Sequence, residues 1–230
     1  MVQLIDETEI YNLRQKAKES AAMFVIMMAA TCVWVFAYEL WLYMNEPISS
    51  SALTTVIEIF GFLVFYVIYR YTSITMKDVG LSIKGKGKYI LIDTLFTLVL
   101  FVILVGIKVY LLKNNPTTFM ANKVFNFDVF DWSCYMYPLT VIVQEFLTRG
   151  VIHESIKRIM IGKYSDFWAI LVSSLFFGTL HIHKGIVYMI GAVLLLSVFG
   201  IVYRKQKTIW RLCIPHYVLG MSICLLFEIV

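Results

Sequence analysis

The chain has 230 residues, of which 60% are hydrophobic and only 15% charged, and its mean hydropathy is +0.79. A soluble domain carries about a quarter charged residues, so a soluble globular fold is excluded; the length suits about one domain, with a bilayer as its solvent. The net charge of +5 does not argue for nucleic acid, because the basic residues sit in loops between apolar runs, where the positive-inside rule places them.

The first twenty residues are polar and mixed in charge (Asp6, Glu7, Glu9, Arg14, Lys16, Lys18). That is unlike the basic start of a cleavable signal peptide, so the first apolar run is expected to be retained. Seven apolar runs follow, at 21–44, 50–71, 89–112, 133–152, 167–183, 186–203 and 208–229. Most approach the ~20 residues that span a bilayer as a helix. The fifth and sixth, separated only by Lys184 and Gly185, predict a tight hairpin or a partly re-entrant pair. With a cytoplasmic N-terminus, four basic groups lie inside: Arg14, Lys16 and Lys18; Arg70, Lys77, Lys84, Lys86 and Lys88; Lys157, Arg158 and Lys163; and Arg204, Lys205, Lys207 and Arg211. Only Lys108, Lys113, Lys123 and Lys184 fall on or near the outer side. The asymmetry predicts an all-α, polytopic transmembrane helix bundle of about seven spans, N-terminus in and C-terminus out. Trp41 and Trp132 at outer ends, and Trp168 and Trp210 at inner ends, suit interfacial anchors.

Three loops need a reading. Gly80-xxxx-Gly85-Lys86 matches the start of a Walker A loop, but Gly87 stands where magnesium needs Ser or Thr, and no strand precedes it. A basic loop against anionic head groups is the better expectation. Residues 113–131 mix Asn, Thr and Asp with Phe119, Phe125, Phe127 and Phe130, which suits an outer loop or interfacial helix. Residues 153–166 set Ile156, Ile159 and Met160 against Lys157, Arg158 and Lys163, so they are expected on the inner membrane surface. The cysteines, Cys32, Cys134, Cys213 and Cys224, form no CxxC pair and imply neither a disulfide framework nor a zinc knuckle.

The chemistry concentrates in Val143-Gln144-Glu145-Phe146-Leu147-Thr148-Arg149-Gly150. Charge in an apolar span is expensive and usually carries a role or a partner. Glu145 and Arg149 share a helical face, and Gln144 points about 100° away from Glu145. All four histidines, His153, His181, His183 and His216, lie downstream. Phe177 and His181 share one face, and His216 follows Pro215 in the last run. His183 is expected at the outer rim and His153 at the inner interface. Each feature also has a bland account: a membrane histidine bridges helices, and Glu145 with Arg149 forms a simple ion pair. Glu39, Glu58, Asp93 and Glu228 also fall in or near spans with no motif around them. His153-Glu154 is no zincin start, because Lys157 stands where the second histidine belongs. Two options stay open: zinc held by Glu145, His181 and His216 with one open position, or water activated directly by Glu and His with no metal.

The order Gln144-Glu145-xxx-Arg149-Gly150, then Phe177-xxx-His181, then His216 in the last span resembles the CPBP family. These are the CAAX protease and bacteriocin-processing (Abi) proteins, intramembrane proteases related to the type II CAAX prenyl endopeptidase. The resemblance covers roughly residues 133–225. It divides the single membrane domain into N-terminal spans and loops, 1–132, and a CPBP-like core, 133–230. In that family two adjacent Glu precede the Arg, and the first activates water with the motif-two His, here His181. The motif-three His, here His216, stabilises the oxyanion with an Asn or Asp four residues on. Here Gln144 replaces the first Glu and Gly220 the Asn or Asp. A carboxamide cannot act as a base, and losing one oxyanion donor costs about 10²–10³ in rate.

The resemblance therefore implies a multi-pass protein of the bacterial plasma membrane. It would be an endopeptidase cleaving a peptide or membrane-protein substrate, with Glu145 as base, His181 and His216 orienting water or holding the oxyanion, Arg149 holding Glu145, and Gln144 beside them. The alternative is a non-catalytic CPBP-like protein acting in self-immunity or scaffolding a cell-envelope partner. Glu145 and His216 lie about two turns from the inner surface, while His181 lies nearer the outer end of its run. They meet only if the fifth span tilts, kinks or starts deeper than drawn, with Gly178 a candidate kink point.

Overall fold

The computed structural model describes residues 7–44, 50–83, 87–115 and 123–227. Within them the regular structure is helical: α1 (Glu7–Tyr43), α2 (Ser50–Tyr71), α3 (Gly87–Asn114), α4 (Trp132–Glu145), α5 (Glu154–Ile159), α6 (Ser165–Thr179), α7 (Ile186–Gln206) and α8 (Trp210–Phe227). No strand occurs among the described residues. A bilayer leaves backbone amides no partner but their own chain, so apolar runs become helices. Each of the seven runs coincides with one helix, the fourth including a π-helical turn, Phe146–His153, that joins α4 to α5. By length and composition, four helices among the described residues are able to cross a membrane: Glu7–Tyr43, Gly87–Asn114, Tyr188–Gln206 and Trp210–Phe227. Ser165–Thr179 is a shorter apolar helix. The protein is an integral membrane helix bundle, and seven spans remains an expectation from the sequence.

Small residues set the packing. α6 and α7 form the expected hairpin, and α8 packs on α3 and α4. A Cβ at Gly178 would lie 2.2 Å from the Val193 side chain, so Gly178 brings α6 onto α7. It does not kink the helix, which ends one residue later. Gly61 does the same for α2 against α4, where a Cβ would fall 2.2 Å from Val143. Outward faces remain apolar, as with Leu95, Phe96, Val99, Val102 and Ile103 on α3, and these meet lipid. Two acids in the spans have structural partners. Glu58 accepts a 2.6 Å hydrogen bond from Thr140 of α4. Asp93 takes a two-pronged ion pair from Arg211 of α8, with Nη2 donating to Oδ1 at 2.9 Å. Glu39 is exposed, and Glu228 lies outside the described residues.

The loops that the basic-residue pattern assigns to the inner side are folded onto the bundle. Gly80, at φ +76°, packs against the Tyr203 hydroxyl, and its carbonyl accepts from Ile209 N–H at 3.0 Å. This glycine serves close packing in a left-handed turn; Gly85 and Lys86 of the Walker-like stretch lie outside the described residues. Trp210 Nε1 donates to the Leu81 carbonyl at 2.9 Å. Residues 153–166 begin in the bundle and end on its surface, with Ile159, Met160 and Ile161 exposed. Glu154, Ser155 and Ile156 of α5 are buried, and α5 packs between α1 and α6. The reason is charge pairing: Arg158 donates to the Asp78 carbonyl at 2.7 Å and lies 3.8 Å from Glu154, while Lys157 meets Asp166 at 2.5 Å. On the opposite side Asn126 caps the short turn Phe127–Val129, and its N–H donates to the Leu225 carbonyl at 2.9 Å, docking that loop on α8. Phe119 lies outside the described residues.

Candidate active site

The site is built around the end of α4. Asp131 caps this helix, accepting from the Ser133 and Cys134 amides, and Pro138 lies within it. At Glu145 the α-helix gives way to the π turn, all eight residues of which are buried. π turns often mark functional sites. A Cβ at Gly150 would lie 2.5 Å from the Val79 carbonyl, so this turn is pressed against the inner loop. Nothing in the apolar pattern signals the change of helix type.

Glu145 and Arg149 are 1% and 0% exposed. Arg149 Nε lies 3.8 Å from Glu145 Oε2. Its Nη1 donates to Ser173 Oγ at 2.8 Å and its Nη2 to the Leu196 carbonyl. Ser173 Oγ in turn donates to the Ala169 carbonyl at 2.6 Å. One guanidinium thereby ties α6 and α7 to the end of α4. The other carboxylate oxygen, Glu145 Oε1, bonds His216 Nδ1 at 2.7 Å, tying in α8. A carboxylate only accepts, so Nδ1 carries the proton and a neutral ring presents Nε2 as an acceptor.

His216 borders a cavity of about 230 Å³, with Tyr137, Phe177, His181, Tyr188 and Gly220 also on its wall. His181 lies at the end of α6; its Nδ1 donates to the Phe177 carbonyl at 2.9 Å. The Phe177 ring contacts both histidines, 4.6 Å from the centre of His181 and 5.7 Å from that of His216. A larger cavity of about 640 Å³, walled mainly by α1, α2, α4 and α8, shares Tyr137, Phe177, His181, Tyr188 and Gly220 with the first and adds Gln144. Glu145 borders neither. The fold thus joins Glu145, Arg149 and His216 directly, and brings His181 to them across one phenyl ring. Gln144 faces the larger space, its Oε1 buried without a hydrogen-bond partner.

The remaining histidines stand apart. His153 is fully buried against Tyr203, ring centres 5.2 Å apart, which corrects the interfacial expectation: the π turn rotates it into the bundle. The His183 side chain lies outside the described residues. Both histidine Nδ1 atoms are engaged and a guanidinium flanks the carboxylate, so a metal at Glu145, His181 and His216 would be held through histidine Nε2. No three His, Cys, Asp or Glu side chains converge closely enough to hold an ion among the described residues. Ser173, Tyr188 and Tyr137 join the site without having stood out in the sequence. For Tyr137 a signal existed: it precedes Gln144 by seven residues and Glu145 by eight, which puts it on their side of α4.

Fold and site together define an integral membrane helix bundle with a buried carboxylate, guanidinium and imidazole cluster beside internal cavities. Residues 128–221 match the family model described as type II CAAX prenyl endopeptidase Rce1-like, consistent with the CPBP family. The match takes in less than half of the chain but holds every residue of the cluster. Comparison with curated proteins gave no match, and neither did comparison with solved structures.

Proposed function

We propose that this protein is an intramembrane endopeptidase in which His216, held by Glu145, activates water against a peptide bond. The observation that carries the reading is the 2.7 Å bond from His216 Nδ1 to Glu145 Oε1, with the imidazole on a cavity wall. Water adds to the scissile carbonyl carbon and gives its proton to His216 Nε2. The carbonyl oxygen becomes an oxyanion. On collapse the C–N bond breaks, and His216 returns the proton to the leaving amine. Glu145 fixes the tautomer and stabilises the imidazolium, as a buried carboxylate does behind a catalytic histidine. Arg149 positions Glu145. His181 adds a second imidazole on the same wall, and the Gln144 amide is placed to bind a substrate backbone in the larger cavity. The substrate is a peptide or membrane protein, the basic residues gathered in one set of loops support a cytoplasmic N-terminus, and the family resemblance supports a bacterial plasma membrane.

The test uses the full chain in liposomes with two quenched-fluorescent probes, a farnesylated peptide ending in a CAAX sequence and an unprenylated transmembrane peptide. Wild type is expected to cleave at least one, with Glu145→Gln and His216→Ala each slower by about 10²–10⁴-fold. Unchanged cleavage by His216→Ala would refute the mechanism. The rival reading, a non-catalytic immunity or scaffold protein with a purely structural cluster, is favoured by the carboxamide at Gln144. It predicts that wild type cleaves neither probe.

A further inference from the structure

We propose that the Tyr137 hydroxyl is the hydrogen-bond donor that receives the oxyanion, and that residue 220 is glycine to make room for it. This inference rests on the peptidase reading above. It begins with an account of donors. His216 spends its Nδ1 proton on Glu145 and His181 spends its own on the Phe177 carbonyl. A neutral His216 bonded in this way offers the cavity an acceptor, which suits a base and repels an oxyanion, and the Nδ1 proton of His181 is already engaged. Apart from the histidines, the side chains on the smaller cavity that carry a donor are Tyr137 and Tyr188.

Position separates the two tyrosines. Tyr188 is stacked on His181, ring centres 5.6 Å apart and planes within 26°. Tyr137 meets His216 edge-on at 6.4 Å and 82°, beside the imidazole that takes the proton. Both tyrosines border both cavities, where a substrate reaching from the larger space would meet the smaller, so it is the place beside His216 that singles out Tyr137. It rises from α4 two helical turns before Glu145, so one helix carries both the orienting carboxylate and the donor. An oxyanion donor must be preorganised to contribute, and helix placement with two neighbouring rings provides that. Its ring is flanked by His216 and by Tyr217, the latter at 5.9 Å.

Gly220 supplies the space. A Cβ there would lie 1.9 Å from the Tyr137 hydroxyl oxygen and 2.7 Å from Cζ, so no other residue fits without displacing the phenol. The two positions are therefore one device. A hydroxyl from α4 occupies the place beside His216 where a polar side chain at 220 would reach. On this account the missing Asn or Asp at 220 is a relocation of the donor, not its loss.

The experiment compares wild type, Tyr137→Phe, Gly220→Ala, Tyr137→Ala and the double variant Tyr137→Ala/Gly220→Asn, each as the full chain in liposomes with the two quenched-fluorescent peptides. Tyr137→Phe keeps the ring and removes only the hydroxyl, so folding is preserved and it decides the matter. Its kcat is expected to fall about 10²–10³-fold, with KM within about twofold because the ground-state carbonyl needs the donor less. Gly220→Ala falls comparably by displacing the phenol. The double variant recovers at least about tenfold over Tyr137→Ala, because the introduced carboxamide restores a donor from the other helix. If wild type cleaves and Tyr137→Phe keeps its kcat within about threefold, this inference is overturned while the peptidase reading stands. If wild type cleaves neither probe, the peptidase reading falls and takes this inference with it.

Discussion

Two charged clusters share this bundle and obey different rules. The inner-face cluster links Lys16 to Asp78 at 2.7 Å, Arg158 to Asp78 and Glu154, and Lys207 to Glu154 at 3.5 Å. Its cationic members are partly exposed, so water can stand in for them. The core cluster of Glu145, Arg149 and His216 is buried, and each group has one to three protein partners with no substitute. Removing one partner of a buried ion pair strands a charge in a medium of low dielectric; an exposed pair contributes little. The inner cluster therefore fastens loops, whereas the core cluster fixes the geometry of one imidazole.

The largest break in this contrast comes from Arg149→Leu. It strands Glu145 and leaves Ser173 Oγ and the Leu196 carbonyl without their donor. Unfolding in micelles should show a loss of about 3–5 kcal/mol, and a loss below about 1 kcal/mol would place the pair with ordinary surface bridges. Next is Gly178→Ala, whose Cβ collides with Val193 and wedges α6 off α7. Overpacking of this kind costs about 1–3 kcal/mol, and adding Val193→Ala should return most of it.

Smaller still is Asp78→Asn in the inner cluster. Burial would raise this carboxyl, but Lys16 and the Thr75 amide and hydroxyl hold it down to about 2. A lowered acid contributes fully above its ordinary value of 3.8 and loses that contribution as pH falls through about 2. The variant should therefore be less stable by about 1 kcal/mol at neutral pH, with the gap to wild type closing as pH drops from about 5 toward 2. Smallest is Lys157→Ala, whose bridge to Asp166 is partly exposed. A melting shift of no more than about 1 kcal/mol equivalent is expected.

The same contrast explains what is legible in the sequence. Seven apolar runs form seven helices because a bilayer admits little else. The spacing of Glu145 and Arg149 announces their shared face, and the motif order announces His181 and His216. Three things stay hidden for physical reasons. The π turn at 146–153 leaves no mark on an apolar stretch, so the pattern puts His153 at an interface while the fold puts it in the core. The fastening of 153–166 depends on Asp78, eighty residues before Arg158, and no local pattern carries that. The motif makes Glu145 the base because it is the acid there. Only the fold shows that it borders neither cavity and that His216 does.

The most direct test of the central claim, that Glu145 holds His216 with Nε2 toward the cavity, is the tautomer of His216. It is read by ¹⁵N NMR of the full chain labelled at histidine, with His216→Gln providing the assignment. At neutral pH the account predicts a protonated Nδ1 and an unprotonated Nε2. Glu145→Gln should abolish or mix that state, since a carboxamide no longer demands the proton. A His216 protonated on Nε2 alone, or a spectrum unchanged in Glu145→Gln, would contradict it.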